Sequence, residues 1–264
     1  MIEIAAVTGL ATVQDNGRPG HMHEGVPPGG ALVPEMLWRA NQAVRNAPGE
    51  AAIEALGPVT LVARSPVVLG NDEGETHALR GGDSYTLPRR NAFVRYVAVR
   101  GGIDEPRVLG GRGTLVVAGL GGHEGRPLRR GDVLRIGHAP AGGGAPSPTL
   151  FMEESFRVVL GPDLDRFDSR TVEAFLASTF AIDARSDRVG SRLSGPRLVS
   201  VPDPASPSGP MVRGAIQVPP SGEPIVLGPD HPTTGGYPVI ATVVRGHVGP
   251  LAARPIGASV RFVT

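Results

Sequence analysis

Residues 12–31, TVQDNGRPGHMHEGVPPGGA, place Asp15, Arg18, two histidines and Glu24 among five glycines and three prolines. Carboxylate, guanidinium and imidazole groups are the side chains that transfer protons or hold anions. Glycine adopts φ values that other residues avoid, and proline lacks a backbone donor, so this segment cannot be one helix or an unbroken central strand. The sequence therefore predicts a shaped loop, which is either a surface connection between two strands or part of a site.

Residues 229–238, PDHPTTGGYP, form a second polar segment. Its paired threonines precede two glycines whose backbone N–H groups can form an anion-binding nest, and Asp230 lies close by as a base or an orienting group. The alternative is a bare turn between two strands. An arginine within 186–195, SDRVGSRLSG, is a further candidate. A guanidinium binds a carboxylate or phosphate with two hydrogen bonds, although arginines in loops are usually solvated.

Several kinds of chemistry are excluded or disfavoured by residue types. His21 and His23 would lie on one side of an extended strand, as a metal site requires, but no carboxylate at a recognisable ligand spacing accompanies them. A solvated pair is therefore favoured, and no metal ligand is predicted. The chain has no cysteine, which excludes disulfides and thiol catalysis. It also has no lysine, which excludes a Schiff-base lysine, a Walker A phosphate loop and a biotinyl lysine on this chain.

The composition indicates a folded protein of one or two domains. With 264 residues, of which 40% are hydrophobic, the chain can bury a sizeable core. A net charge of +1 gives no electrostatic argument for binding nucleic acid or an anionic membrane. No apolar run approaches the roughly 18 residues that span a bilayer, and the start lacks the basic region of a signal peptide. We expect a cytoplasmic protein with no nucleic-acid or membrane partner.

Short β-branched runs bounded by Gly, Pro or Asp predict a mainly β fold, either a barrel or a sandwich. The predicted strands lie at 59–70, 92–102, 114–122, 156–162, 214–219, 223–229, 237–246 and 257–264. Helical periodicity is confined to 34–46, which begins with a proline, and to 168–178. Residues 138–150 are rich in glycine and proline and are typical of a linker, so the predicted domains are 1–140 and 150–264.

These segments, in this order, resemble the motifs of one family. They are TVQDNGRPGHMHEGVPPGGA, RANQAVRN, YVAVRGGID, RVLGGRGT, AGLGGHEGRPLRRGDVL, DRVGSRLSG, GAIQVPPSGEPIVLGPDHPTTGGYPVIATV and RPIGASVRFV. The resemblance is to the family of the 5-oxoprolinase C subunit, which also comprises KipA, biotin-dependent carboxyltransferases and the second subunit of allophanate hydrolase. It runs from about residue 12 to residue 263 and so covers nearly the whole chain.

The resemblance implies two cyclophilin-like β-barrel domains with a few short helices. It also implies an ATP-dependent 5-oxoprolinase complex that opens 5-oxoproline to glutamate, in which the partners are the KipI-like B subunit and the A subunit of 5-oxoprolinase. ATP, with magnesium, then acts at the level of the complex. One alternative is the carboxyltransferase subunit of a biotin-dependent urea or amide carboxylase, with biotin carried on another protein because this chain has no lysine. A second alternative is a non-catalytic KipA-like regulator that binds a KipI-like partner.

The same resemblance implies a single cleft in which an amide substrate is bound and a developing anion is stabilised. The candidate catalytic residues are Asp230, Asp15 and Arg18, and the candidate substrate-binding residues are Gln14, Asn41, Thr233, Thr234 and Gly235. The chain departs from the family pattern at 64–90, which is compressed, and at GGRGTLVV, where Gly111, Gly113 and Leu115 stand in positions at which polar residues are expected.

Overall fold

The regular structure of the protein is mostly strand, and the prediction of a mainly β fold with a few short helices is confirmed. The computed structural model describes residues 1–88, 90–138, 154–201 and 207–264. The chain divides into two compact units, the first comprising Met1–Gly20 and Pro28–Leu150, the second His21–Pro27 and Phe151–Thr264. Apart from its first residue, the predicted linker at 138–150 lies outside the described residues. In the ranges described, no helix combines the length and apolar character that a bilayer crossing needs.

Two antiparallel sheets enclose the apolar core of the first unit. Its strands are β1 (Ile2–Val7), β2 (Leu10–Gln14), β3 (Ala52–Leu56), β4 (Val59–Ala63), β5 (Val67–Asn71), β6 (Thr76–Leu79), β7 (Ser84–Leu87), β8 (Arg95–Val99) and β9 (Val133–Leu134). One sheet has the order β7-β4-β1-β9 and the other β2-β3-β8-β5-β6. Alternate residues of β4, Val59, Leu61 and Ala63, are buried, as expected for a strand with one face on the core.

Helix α1 (Pro34–Ala43) begins at the proline that the sequence singled out. The backbone leading into it is held by a buried pair of side chains. Glu54 accepts hydrogen bonds from the Leu32 amide at 2.7 Å and from the Tyr96 hydroxyl at 2.5 Å. That hydroxyl in turn accepts the Val33 amide at 2.9 Å. Because unpaired buried N–H groups are costly, this network fixes the chain between the glycine-rich loop and the helix.

In the second unit, seven strands close into a barrel. The unit has nine strands in its described residues, and these are β10 (Ser155–Leu160), β11 (Phe180–Ile182), β12 (Gly190–Ser194), β13 (Gly209–Pro210), β14 (Ala215–Gln217), β15 (Ile225–Leu227), β16 (Thr234–Gly235), β17 (Val239–Val243) and β18 (Ser259–Val263). The barrel order is β10-β17-β14-β15-β12-β11-β18, and the parallel pairing of β10 with β18 closes it. β13 and β16 form a separate two-stranded sheet. Helix α2 (Ser169–Ala177) packs on β18, where Phe175 and Phe262 stack with ring centroids 4.8 Å apart.

Three local predictions differ from the structure. The strand predicted over 59–70 forms two strands, β4 and β5, which lie in different sheets. No strand forms over 114–122, where a short 3-10 turn, Val116–Ala118, is followed by Gly119 with φ of 62°. Gly121 and Gly122 also have left-handed φ values, which an extended strand cannot contain. A third helix, α3 (Arg245–Ala252), was not predicted because it contains Pro250 and two glycines. Its last turn is buried, so packing outweighs the poor helix propensity of the segment.

The Glu54–Tyr96 network yields a first prediction. Tyr96→Phe should lower the free energy of unfolding of the first unit by about 1–3 kcal/mol, because it leaves a buried carboxylate and a buried amide each short of one partner. The measurement is urea unfolding followed by fluorescence of the single tryptophan, Trp38, which lies in α1.

Tyr85→Phe is the matched control, since the Tyr85 hydroxyl, among the described residues, accepts only a long hydrogen bond of 3.4 Å from the Asn71 side chain. Equal stability losses in the two variants would show that the Tyr96 hydroxyl does not hold the start of the helix.

Candidate functional site

Asp15 joins two loops of the first unit. It follows strand β2 directly and is 7% exposed. One carboxylate oxygen accepts hydrogen bonds from the backbone amides of Gly17 at 2.8 Å and Gly113 at 3.0 Å. The other accepts the amide of Arg112 at 2.6 Å. The carboxylate therefore anchors the loop at 111–113 onto the glycine-rich loop. Its predicted catalytic role stays a prediction.

Arg18 contacts the same pair of loops from within the fold. It is 1% exposed, and its guanidinium donates to the carbonyls of Gly113 and, at 3.4 Å, of Val108. Its own amide donates to the carbonyl of Pro28 at 2.8 Å. The guanidinium thus places a positive charge beside the segment that Asp15 holds. The predicted catalytic role of Arg18 stays a prediction.

The side-chain oxygen of Gln14 is a buried hydrogen-bond acceptor without a donor among the described residues. Its amide nitrogen donates to the carbonyl of Thr114 at 2.9 Å and to the Thr12 hydroxyl at 3.1 Å. Its amide oxygen is buried and accepts no hydrogen bond from the described residues. A buried acceptor of this kind is costly unless a partner completes it. The predicted substrate-binding role of Gln14 stays a prediction.

Close packing explains why Gly111 and Gly113, which depart from the family pattern, are glycines. A Cβ atom at Gly113 would lie 2.7 Å from Oε1 of Gln14 and 2.9 Å from Oδ1 of Asp15. A Cβ atom at Gly111 would lie 2.5 Å from the carbonyl oxygen of Gly17. Real Cβ contacts are longer, so any side chain at these positions would force the loops apart. In this chain the two glycines allow the close approach on which the Asp15 hydrogen bonds depend.

Asn41, predicted to bind substrate, is used within the fold. Its side-chain nitrogen donates to the carbonyls of Glu50 at 2.8 Å and Pro48 at 3.4 Å, and its oxygen accepts from Asn46 at 2.9 Å. The residue is fully buried and ties the end of α1 to the loop that follows it. Its substrate-binding role stays a prediction.

In the second unit, Asp230 forms a buried ion pair with Arg188. The guanidinium nitrogens Nε and Nη2 lie 2.8 and 2.9 Å from the two carboxylate oxygens, and both side chains are less than 10% exposed. Arg188 belongs to the SDRVGSRLSG segment, in which the sequence indicated an arginine able to bind a carboxylate with two hydrogen bonds. A paired carboxylate with this geometry orients the arginine as much as the arginine orients it. The base role of Asp230 stays a prediction.

The segment after Asp230 does not form the anion-binding nest considered from the sequence. Thr234 and Gly235 pair with Pro210 and Gly209 as strand β16, and the Thr233 carbonyl accepts the Met211 amide at 3.0 Å. Neither Gly235 nor Gly236 has a left-handed φ value of the kind that an αR-αL nest uses. Substrate binding by Thr233, Thr234 and Gly235 stays a prediction.

His231 is a functional candidate that sequence reasoning passed over. It is fully buried, and its Nδ1 atom lies 2.7 Å from the Pro232 carbonyl, which can only accept, so Nδ1 carries the hydrogen. Nε2 is buried without a hydrogen-bond partner among the described residues. Burial lowers the pKa of His231 from its ordinary value of 6.5, although the hydrogen bond to Pro232 opposes this. Burial therefore favours the neutral form of the ring. The position of His231 next to Asp230 was the one signal in the sequence.

The histidine pair at 21 and 23 is not on an extended strand. Met22–Glu24 form a 3-10 turn, and His21 Nδ1 lies 2.7 Å from Glu24 Oε2. Over the described ranges, no cluster of three or more histidine and carboxylate side chains is arranged to hold a metal ion.

The predicted site residues divide between the two units. Gln14, Asp15, Arg18 and Asn41 lie in the first unit, and Asp230, Thr233, Thr234 and Gly235 lie in the second. Within the first unit the structure brings Gln14, Asp15 and Arg18 together around Gly113. That all eight share one cleft stays a prediction.

Comparison with known proteins defines the class. Residues 24–264 match the family model described as carboxyltransferase domain, subdomain A and B. The chain therefore belongs to the carboxyltransferase domain family, which confirms the resemblance seen in the sequence.

Particular relatives are 5-oxoprolinase subunits. The chain is 34% identical to the C subunit of 5-oxoprolinase from Escherichia coli (strain K12), and the match covers 100% of this chain and 91% of that protein. It is 31% identical to the C subunit of 5-oxoprolinase from Haemophilus influenzae, covering 99% of this chain and 90% of that protein. Among solved structures it is similar to the Kluyveromyces lactis urea carboxylase, with a TM-score of 0.89 and 26% identity over 99% of this chain, which spans 27% of that larger chain.

His231 yields a second prediction. Because burial lowers its pKa in the folded state, the unfolded chain binds the proton more readily. The stability that the neutral ring contributes is complete above its ordinary pKa and is lost as the pH falls below it. His231→Asn keeps a donor for the Pro232 carbonyl and removes the titration. Its free energy of unfolding should therefore fall less than that of the wild type between about pH 7.5 and pH 5.

Urea unfolding followed by circular dichroism at several pH values measures the difference. His138→Asn, which removes an exposed histidine, is the control and should keep the wild-type pH dependence. If His231→Asn also keeps it, the imidazole is not held neutral by the fold.

Proposed function

We propose that this chain is a subunit of a cytoplasmic ATP-dependent 5-oxoprolinase that opens 5-oxoproline to glutamate. The observation that carries the proposal is the 34% identity to the C subunit of the Escherichia coli 5-oxoprolinase, across the whole chain and 91% of that protein. The name of that relative implies further subunits, and the proposed partners are the KipI-like B subunit and the A subunit of the same enzyme.

The chemistry of a lactam explains why several components would be needed. An amide carbonyl is a poor electrophile, and transfer of a phosphoryl group from ATP to its oxygen creates a leaving group. The chain has no lysine for a phosphate loop, so we assign ATP and its magnesium to the complex and not to this chain by itself.

The residues of the first unit suit recognition of the lactam. Gln14 and Arg18 both contact the loop at 113–114, and the buried charge of Arg18 would favour an oxygen that becomes negative near that loop. Asp15 holds the backbone between them in place. In the second unit, the Arg188–Asp230 pair beside neutral His231 offers a proton acceptor and a fixed cation.

The second candidate function is the carboxyltransferase subunit of a biotin-dependent urea or amide carboxylase. It is favoured by the match to the solved urea carboxylase at a TM-score of 0.89. Biotin would then arrive on another protein. We rank it below the first because sequence identity to the 5-oxoprolinase subunits is higher, at 34% and 31% against 26%.

Reconstitution tests the proposal. The isolated chain should release no glutamate from 5-oxoproline with ATP, and the mixture with its cognate A and B subunits should do so. Asp230→Asn in that mixture should abolish turnover while the complex still assembles, because it removes the charge that faces Arg188 with little change of size. Assembly is measured by size-exclusion chromatography and turnover by glutamate release.

Asp165→Asn, an exposed aspartate with no side-chain hydrogen bond within the described residues, is the matched control and should remain active. Turnover by the isolated chain would contradict the subunit role. An assembled complex that is inert with 5-oxoproline but carboxylates urea with a biotinyl carrier would move the assignment to the second candidate. An assembled complex inert in both assays would point to the KipA-like regulator.

A further inference from the structure

The second unit has a cleft at one end of its barrel. Its volume is about 440 Å³, and its lining comes from the turn that ends at Arg166 and from the segments 197–200, 218–222 and 236–238. The segment 197–200 follows β12, the segment 218–222 connects β14 with β15, and the segment 236–238 precedes β17. The antiparallel pairs β12–β15, β14–β15 and β14–β17 bring these strand ends together. The cleft is therefore the mouth of the barrel, a position where small ligands commonly bind.

The Asp230–Arg188 pair lies at the other end of the same barrel. Arg188 lies shortly before the start of β12, and Asp230 lies shortly after the end of β15. These two strand ends are neighbours, because Gly190, the first residue of β12, pairs with Leu227, the last residue of β15. The cleft lies past the opposite ends of these strands, near Ser194 and Ile225. It is thus separate from Asp230 and Arg188, although Gly236 in its lining directly follows the candidate residue Gly235.

Among the described residues, both charged side chains that line the cleft are arginines. Arg166 and Arg197 line it, and its lining contains no carboxylate from the described residues. Arg197 is exposed and makes no hydrogen bond or ion pair with any residue that the structure describes, so its guanidinium is available to a ligand. Hydroxyl groups of Ser200, Ser221 and Tyr237 add donors around the rim. Such a set favours an anion, and a planar carboxylate matches the fork of a guanidinium.

The remaining lining is apolar. Leu198 and Val218 are buried beneath the cleft, whereas Val199 and Tyr237, which are 72% and 49% exposed, present apolar surface to solvent within it. A ligand with a short hydrocarbon body would remove this surface from water, whereas a bare inorganic anion would not. The volume is at the small end of the range for ligand sites, which is about 300–1,000 Å³.

We propose that the barrel mouth binds a small carboxylate with an apolar body, held through Arg166 and Arg197. 5-Oxoproline and glutamate belong to this class, and their choice as the first probes rests on the proposed function. The carboxylate chemistry itself rests on the cleft alone.

Calorimetric titration of the full-length chain, without ATP or other subunits, tests the proposal. The probes are 5-oxoproline, glutamate, the neutral lactam 2-pyrrolidinone and inorganic phosphate. At least one carboxylate should bind and 2-pyrrolidinone should not. Arg197→Gln should weaken carboxylate binding about tenfold or more, as expected for loss of a charge-assisted hydrogen bond. Arg157→Gln, which removes an exposed arginine outside the cleft, should bind as the wild type does.

Absence of carboxylate binding up to about 10 mM, a concentration that corresponds to negligible affinity, would overturn the proposal. Unchanged binding by Arg197→Gln, or phosphate binding as tight as that of the carboxylates, would also overturn it. If Asp230→Asn loses carboxylate binding and Arg197→Gln keeps it, the ligand binds at the other end of the barrel. Because no turnover is measured, failure of the 5-oxoprolinase assignment leaves this result unaffected.

Discussion

The carboxylate of Asp15 sets the geometry of the first unit's candidate site. It is one side chain that satisfies three backbone amides on two loops, and neither loop has a strand or helix to hold those amides otherwise. Buried N–H groups must be paired, and the carboxylate supplies the acceptor for the amides of Gly17, Arg112 and Gly113. The guanidinium of Arg18 and the side-chain amide of Gln14 donate to carbonyls of residues 113 and 114 in one of these loops. Because Gly113 has no side chain, Gln14 and Asp15 can both pack against it.

In the second unit, the buried charges lie outside the apolar interior of the barrel. Its barrel closes through the parallel pairing of β10 and β18 around a cluster of phenylalanines, so the interior holds few polar groups. The buried charges are placed beyond the strand ends, where Asp230 pairs with Arg188. Burying two charges is costly, and pairing them with two hydrogen bonds offsets most of that cost. Loss of either partner would leave the other uncompensated and would lower the stability of this end of the barrel.

Local sequence patterns predicted those helices and strands whose formation depends on residues close together in the chain. Helix α1 begins where a proline suits the first turn, and most of the β-branched runs became strands. The failures have tertiary causes: Pro250 sits in a helix that packing stabilises, and the glycines after Val116 turn a predicted strand. The contacts that matter most join residues far apart in sequence. The Asp15–Gly113 and Arg188–Asp230 pairs span 98 and 42 residues, and no periodicity or turn signal connects such positions. Likewise, nothing local shows that the Gln14 amide oxygen is left open.

The claim that Asp15 holds the site together is tested most directly by amide hydrogen exchange in Asp15→Asn. Asparagine would turn one acceptor into a donor that faces backbone N–H groups. Peptides covering 108–113 should then exchange about 10- to 100-fold faster, as expected for the loss of one or two hydrogen bonds to a charged group. Asp104→Asn, at an exposed carboxylate 3.7 Å from Arg112, should leave exchange unchanged. Unchanged exchange in Asp15→Asn would contradict the account and show that these loops are held without the carboxylate.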